Sequence, residues 1–342
     1  MRKILWLIFI AALACAAWLY WAVLTPMEPA NQTFVMLHPG YSTRRIAHQL
    51  QVAGIIRSED AFLLYHYFHR GRSLKAGEYL FEKPASVKEI HQRLARGDVY
   101  FHTVVVPEGF TMFDIARAVE AAGLGSAEDF LKAAQTDTLL IADIAPCANS
   151  LEGFLFPDTY QLSRMQSMQE IAGSMVNQFR QVAKQIGLIA TGEEKTATPC
   201  VPHSPTDLER TVTMASIVEK ETAIPEERAL VASVYNNRLN KKIALDADPS
   251  IIYAELLAGT YAGALHHDDM RFNSPYNTYR FPGPPPGPIA NPGRSALEAA
   301  MHPAQSDFYY FVADAQGHHR FAKTIEEHNR NVAAYRRAMR GQ

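Results

Sequence analysis

The chain has 342 residues, 48% of them hydrophobic and 20% charged, so it is long enough for a sizeable core or two, and it is not a disordered composition. Lys plus Arg is 33 against 35 for Asp plus Glu, a net charge of −2, which argues against nucleic acid as a partner. Three cysteines exclude a disulfide scaffold; Cys147 and Cys200 could pair in an oxidising compartment or stand as two separate buried thiols.

Residues 1–3 carry Arg2 and Lys3, and the uncharged run 4–24 follows. As a helix that run reaches roughly 30 Å, a bilayer core. The basic residues place the N-terminus in the cytoplasm, and Trp18, Tyr20 and Trp21 suit the outer interface. A cleaved signal peptide has a shorter apolar region, and a lipobox ending at Cys15 is a poor match, so a retained anchor is the preferred reading.

Residues 30–105 read as a small α+β module. A strand covers Phe34–His38, Ser42 caps a helix running to Gly54, and a second helix spans Ser58–Phe68 with Phe62, Tyr65 and Phe68 as its core stripe. Lys75–Phe81 is a strand, Ser86 caps a helix ending at Gly97, and His102–Val106 is a strand.

From 106 onward the pattern is that of a larger mixed α/β domain. Thr111 and Ser126 open helices, and residues 165–188 form an amphipathic one. Leu151–Tyr160 mixes acid, aromatics, Gly and Pro; its Glu152, Asp158 and Tyr160 could line a sugar cleft or pack as a structured loop. Residues 190–205 are polar and read as a surface loop.

The stretch Thr206–Glu221 is helical in pattern. On a wheel of about 100° per residue, Leu208, Val212, Met214, Ala215, Ile217 and Val218 share one arc, with Glu209, Thr213, Ser216 and Lys220 opposite. Glu219 and Glu221 flank the apolar arc, where a solvated face would not put them. Pro225 stops the helix near Thr222, so Glu221 falls in the last turn at the negative end of the helix dipole. That position and apolar surroundings favour a protonated carboxyl, the property of a general acid; a buried Glu paired with Arg210 or Arg228 is the structural alternative.

A helix follows from Pro225, then the turn Asp248-Pro-Ser ahead of a short helix. Asn273–Tyr279 offers amides and rings suited to sugar recognition, with Tyr276, Asn277 and Tyr279 the candidates. Residues 282–292 form a stiff Pro-rich wall, and Ser295 caps a helix. A hairpin spans Phe308–Phe321, and a final helix Thr324–Met339. His266, His267, His318 and His319 lack a metal-ligand spacing, and no phosphate loop or G-x-S-x-G motif is present, so no metal or cofactor is expected.

Ala215–Thr222, Asp248–Tyr253, Ser274–Tyr279, Gly283–Gly293, Tyr310–Asp314 and His328-Asn329 together resemble the endolytic murein transglycosylases, the YceG-like or MltG family, as does Leu151–Tyr160. The resemblance runs the length of the chain and implies a single-pass inner-membrane protein with an extracytoplasmic body, in which residues 30–105 are a LysM-like module and 106–342 the catalytic domain. It implies cleavage of MurNAc–GlcNAc bonds within peptidoglycan glycan strands to leave 1,6-anhydro-MurNAc ends, with a role in ending strand elongation beside cell-wall synthases. The family's catalytic Glu is the second acid of its E-K-E motif, here Glu221; Glu219, Ser216, Glu152, Tyr276, Asn277 and Tyr279 are the supporting or substrate-binding candidates. A membrane-anchored glycan-binding or synthase-associated scaffold without lytic activity is the alternative.

Overall fold

The computed structural model describes residues 2–69, 71, 73–190 and 205–340. The surface loop expected over 190–205 falls, but for its two end residues, outside them, and so does a Cys147–Cys200 pairing. The architecture is mixed α and β with one N-terminal apolar helix. The chain divides into two compact units, Met1–His102 with Gln161–Gln166 and Thr103–Tyr160 with Ser167–Gln342.

In the first unit, α1 (Arg2–Leu24) is long and apolar enough to cross a membrane, and its side chains are exposed almost to its end. Ala22 and Val23 are the exception, being buried in the unit's core. β1 (Thr33–Leu37) pairs antiparallel with β2 (Gly77–Phe81), Val35 opposite Tyr79. α2 (Thr43–Val52), α3 (Glu59–Phe68) and α4 (Val87–Arg96) each start at a serine, Ser42, Ser58 and Ser86, whose hydroxyl accepts a first-turn N–H. Leu37, Leu50, Phe62, Tyr79, Phe81 and Leu94 fill the space between sheet and helices. Of the expected aromatic stripe on α3 only Phe62 is fully buried; Phe68 is 73% exposed, because α3 ends there, beyond the core.

The second unit begins in β3 (His102–Val105) and continues through α5 (Met112–Ala121) and α6 (Ala127–Thr136), N-capped by Thr111 and Ser126. β4 (Thr159–Leu162) pairs with β3; this strand sits at the end of the 151–160 stretch, whose mixed composition hid it. After α7 (Met168–Gln185) come α8 (Asp207–Glu221), α9 (Pro225–Asn240), α10 (Asp248–Ala258) and α11 (Arg294–Met301). The hairpin β5 (Tyr310–Ala313) and β6 (His319–Ala322) precedes α12 (Ile325–Arg340). The cap of α11 is Gly293 without a side-chain bond, not Ser295 as expected from sequence.

α8 is the central helix, packed by α9, α10 and α11. The wheel left Glu209, Thr213 and Ser216 on a polar face, yet every residue from Val212 to Val218 is buried, and so is Glu209. Their polar groups are satisfied inside: Thr213 donates to Glu209 O at 2.7 Å, Ser216 to Thr213 O at 2.7 Å, and Glu209 accepts the Cys147 N–H at 3.0 Å. The wholly buried middle of the helix needs such internal partners, since an unbonded buried polar group costs about 1–3 kcal/mol.

Candidate active site

Glu221 is the last residue of α8. Thr222 leaves the helix at φ −138°, and its hydroxyl accepts the Ile224 N–H at 3.1 Å. Pro225 then opens α9 in its first turn, so the short turn between the helices is fixed by residues that cannot extend either one. α9 folds back and brings Tyr235 to the end of α8, where its hydroxyl donates to Glu221 Oε1 at 2.7 Å. The surrounding core holds Ile217, Val218, Leu245 and Ala247. Burial is the main cause that pushes Glu221 up to about 7; the Tyr235 bond acts against it, and the charge of Asp248 adds to it.

Glu219 is bound on both oxygens. Arg228 donates to Oε1 at 2.7 Å and the Gly293 N–H to Oε2 at 2.9 Å, with the side chain 5% exposed. Burial raises its proton affinity, and the Gly293 bond and Arg228 oppose that. The structural alternative raised from sequence, a Glu paired with Arg228, thus describes Glu219, while Arg210 pairs with Asp207. Lys220 between them donates to Gly109 O at 3.2 Å.

A second buried carboxyl lies deeper. Glu152 accepts the Met112 N–H at the start of α5 at 2.9 Å and the Asn291 side-chain amide at 2.7 Å. Asn291 Oδ1 in turn takes the N–H groups of Gly153 and Leu155, at 2.8 and 2.9 Å. Gly153 has φ +88°, and a Cβ there would come within 2.5 Å of Pro288, so only glycine lets the chain pass. Burial pushes Glu152 up to about 8. Ser216, fully buried, accepts the Ile289 N–H at 3.0 Å. These bonds strap residues 288–291, the end of the Pro-rich wall, along α8.

The loop at 273–281 is held in the same manner. Asn277, fully buried, donates to Met270 O and Phe272 O at 3.1 and 2.8 Å and accepts the Tyr279 N–H at 3.0 Å. Thr278 accepts the Ala247 N–H at 3.0 Å, joining the loop to the start of α10. Tyr276 is buried with its ring 5.1 Å from Tyr253. Tyr279 alone of the three opens to solvent, 38% exposed, and its hydroxyl donates to Asp248 Oδ1 at 2.6 Å.

Of the sequence candidates, Tyr279 is open to solvent and Glu221 is partly buried, while Glu152, Ser216, Tyr276 and Asn277 are buried and Glu219 is ion-paired, each engaged with the protein. Tyr235, Asn291 and Asp248 are the residues not named as site candidates from sequence. Tyr235 stood in the apolar run of α9, and Asp248 read as a turn residue. His318 and His319 close on Glu227 near the start of α9, Nδ1 to carboxylate at 3.0 and 2.7 Å. Among the described residues no group of three or more His, Cys, Asp or Glu is arranged to hold a metal ion.

The sequence profile of the YceG-like family matches residues 35–334. The endolytic murein transglycosylase of Bacillus subtilis (strain 168) is 31% identical over 331 residues, covering 92% of this chain and 88% of that protein. That of Streptococcus pneumoniae (strain R6) is 30% identical over 344 residues, covering 91% of this chain and 60% of the longer relative. Among solved structures, the yceG-like protein lmo1499 of Listeria monocytogenes is similar with a TM-score of 0.56 at 30% identity, over 88% of this chain and 99% of that one.

Proposed function

This chain belongs to the YceG-like family, and on that premise we propose how Glu221 carries out its reaction. The protein is a lytic transglycosylase acting on peptidoglycan. The bond cleaved is the MurNAc–GlcNAc linkage inside a glycan strand, and the observation that carries the assignment is Glu221 itself. With its proton affinity raised to about 7, a large share of it is protonated at neutral pH, as a general acid requires. Glu221 gives its proton to the glycosidic oxygen as the C1–O bond breaks. The C6 hydroxyl oxygen of the same MurNAc then bonds to C1, and its proton returns to the Glu221 carboxylate. The product is a 1,6-anhydro end, no water is consumed, and the acid is regenerated.

Tyr235 positions the acid, and the Arg228–Glu219–Gly293 contacts hold the end of α8 in place. Tyr279 offers the open ring for a sugar face.

α1 is a retained anchor with its N-terminus in the cytoplasm and the body outside the inner membrane. The burial of Ala22 and Val23 in the first unit supports retention over a cleaved signal. Residues 30–105 serve as a LysM-like module that holds glycan strands, residues 106–342 are the catalytic domain, and the enzyme works beside cell-wall synthases to end strand elongation.

The test is mass analysis of defined, uncrosslinked glycan strands after incubation with the wild type and with Glu221→Gln. Anhydro ends from the wild type and at least about a thousandfold loss in the variant are expected, since the variant has no proton to give. Ordinary reducing ends would make the protein a hydrolase, intact strands a binding scaffold, and an active variant would remove Glu221 from the role.

A further inference from the structure

Asp248 has no part in the steps above, yet its charge reaches the acid, and its neighbour Ala247 lies in the core that holds Val218 of α8 and Tyr235. It is the first residue of α10, with Pro249 in the first turn. Its neighbour Ala247 is bonded to Thr278, and Ser250 lies 2.9 Å from the same Thr278 hydroxyl, so the start of the helix is fixed on both sides of Asp248. A carboxylate there meets the positive end of the helix dipole. Its Oδ1 takes the Tyr279 hydroxyl at 2.6 Å, and the residue is exposed. Asp248 therefore presents an oriented negative charge to solvent on the face where Glu221 must meet its substrate.

The groups acting on Glu221 come from two elements, Tyr235 on α9 and Asp248 on α10, and Glu221 in turn acts on Tyr279 of the 273–281 loop. Behind them Arg238 is ion-paired with Asp246 and acts on Tyr235, while Asp246 acts on Tyr279. Among these groups Arg238 is the cation, and it is paired with Asp246.

We infer that Asp248, oriented by Tyr279, is a second catalytic carboxylate: it faces the sugar whose C1–O bond breaks and stabilises the positive charge that develops there. This rests on the reading of Glu221 given above. Asp248 forms no covalent bond and exchanges no proton; Glu221 alone moves the proton to the leaving oxygen and takes it back from the C6 hydroxyl. The pairing also makes electrostatic sense, because a fixed anion next to Glu221 discourages that carboxyl from ionising before the substrate's own positive charge appears.

The experiment compares the full-length wild type with Asp248→Asn, Asp248→Glu and Tyr279→Phe. It measures kcat, KM and product ends across pH on defined glycan strands, and follows the Glu221 carboxyl by carbon-13 NMR. Asp248→Asn keeps the size and the acceptor for Tyr279; its kcat should fall on the order of 10²–10³-fold with KM little changed, and its products should keep anhydro ends. The Glu221 titration, and with it the alkaline limb of kcat/KM, should move to lower pH, because a negative neighbour is gone. Asp248→Glu should restore the limb and part of the rate, and Tyr279→Phe should cost about tenfold.

An Asp248→Asn enzyme with kcat within about threefold of wild type, or with the Glu221 titration unmoved, overturns the inference. So do wild-type products with ordinary reducing ends, which would make Asp248 a base for water. If the wild type cleaves nothing, the proposed function fails, and the NMR titration still decides whether the two carboxyls are coupled.

Discussion

Burial sets the proton affinity of Glu221 first, and two neighbours of opposite sign then adjust it. Tyr235 donates to the carboxylate and so favours it, whereas Asp248 repels it. Tyr235 is itself held far above its ordinary value, by burial first and Glu221 second, so it stays a donor throughout the working pH range. Tyr235→Phe removes that donor and should move the alkaline limb of kcat/KM up from near 7, the reverse of the Asp248→Asn shift. A pH–rate profile of each variant checks the pair, and limbs moving in the same direction would contradict it. How much of this could be read from sequence depends on distance along the chain. The place of Glu221 at the end of α8 was legible because Pro225, four residues on, stops the helix. The bond from Tyr279 to Asp248 spans 31 residues, and no periodicity reports that.

At the scale of elements, local chemistry was readable and packing was not. Ser42, Ser86, Thr111 and Ser126 all cap the helices assigned to them, since a cap is a bond between neighbours, whereas Ser58, read as the first residue of its helix, proves to be its cap. The wheel of α8 failed on Glu209, Thr213 and Ser216 because it assumes one solvated face, whereas Lys220 of that face is exposed and the loop residues Cys147 and Ile289 cover Glu209 and Ser216. Glu152 was left between a sugar cleft and a packed loop, since its partner Asn291 lies 139 residues away. Its burial has a measurable consequence. A carboxyl raised from 4.5 to about 8 on folding contributes stability that is fully present below pH 4.5 and is lost as pH rises through 8. Glu221 acts in the same sense between 4.5 and about 7. The wild type should therefore lose stability from pH 5 to pH 8. Glu152→Gln, neutral at every pH and still an acceptor for Met112, should recover on the order of 1–3 kcal/mol of that loss. Urea unfolding at the two pH values measures it, and equal losses in wild type and variant would show that Glu152 does not titrate there.

For the whole molecule, the end of α1 is part of the first unit's core. Ala22 and Val23 belong to the core that Leu37, Leu50 and Phe62 form, and Leu19 packs against it. Arg57 donates to the carbonyls of Thr25 and Pro26 at 2.6 and 2.8 Å, and its guanidinium lies 4.7 Å from the centre of the Trp21 ring. Met27 then pairs with Ala85 across the unit. The end of α1 is thus fastened by apolar burial, by a cation over a ring and by backbone bonds at once. A chain starting at Met27 should lose the burial of Ala22 and Val23 and the Trp21 contact, about 1–3 kcal/mol from the first unit. A chain starting at Leu19 should keep them. In a unit of this size such a loss lowers the melting temperature by roughly 4–20 °C. The second unit has its own core around α8 and contains Glu221, so cleavage of soluble strands should continue in both truncations. Calorimetry would show a low-temperature transition that moves only in the shorter chain, with a second that stays in place. Identical melting of the two truncations would mean that α1 anchors the first unit without stabilising it.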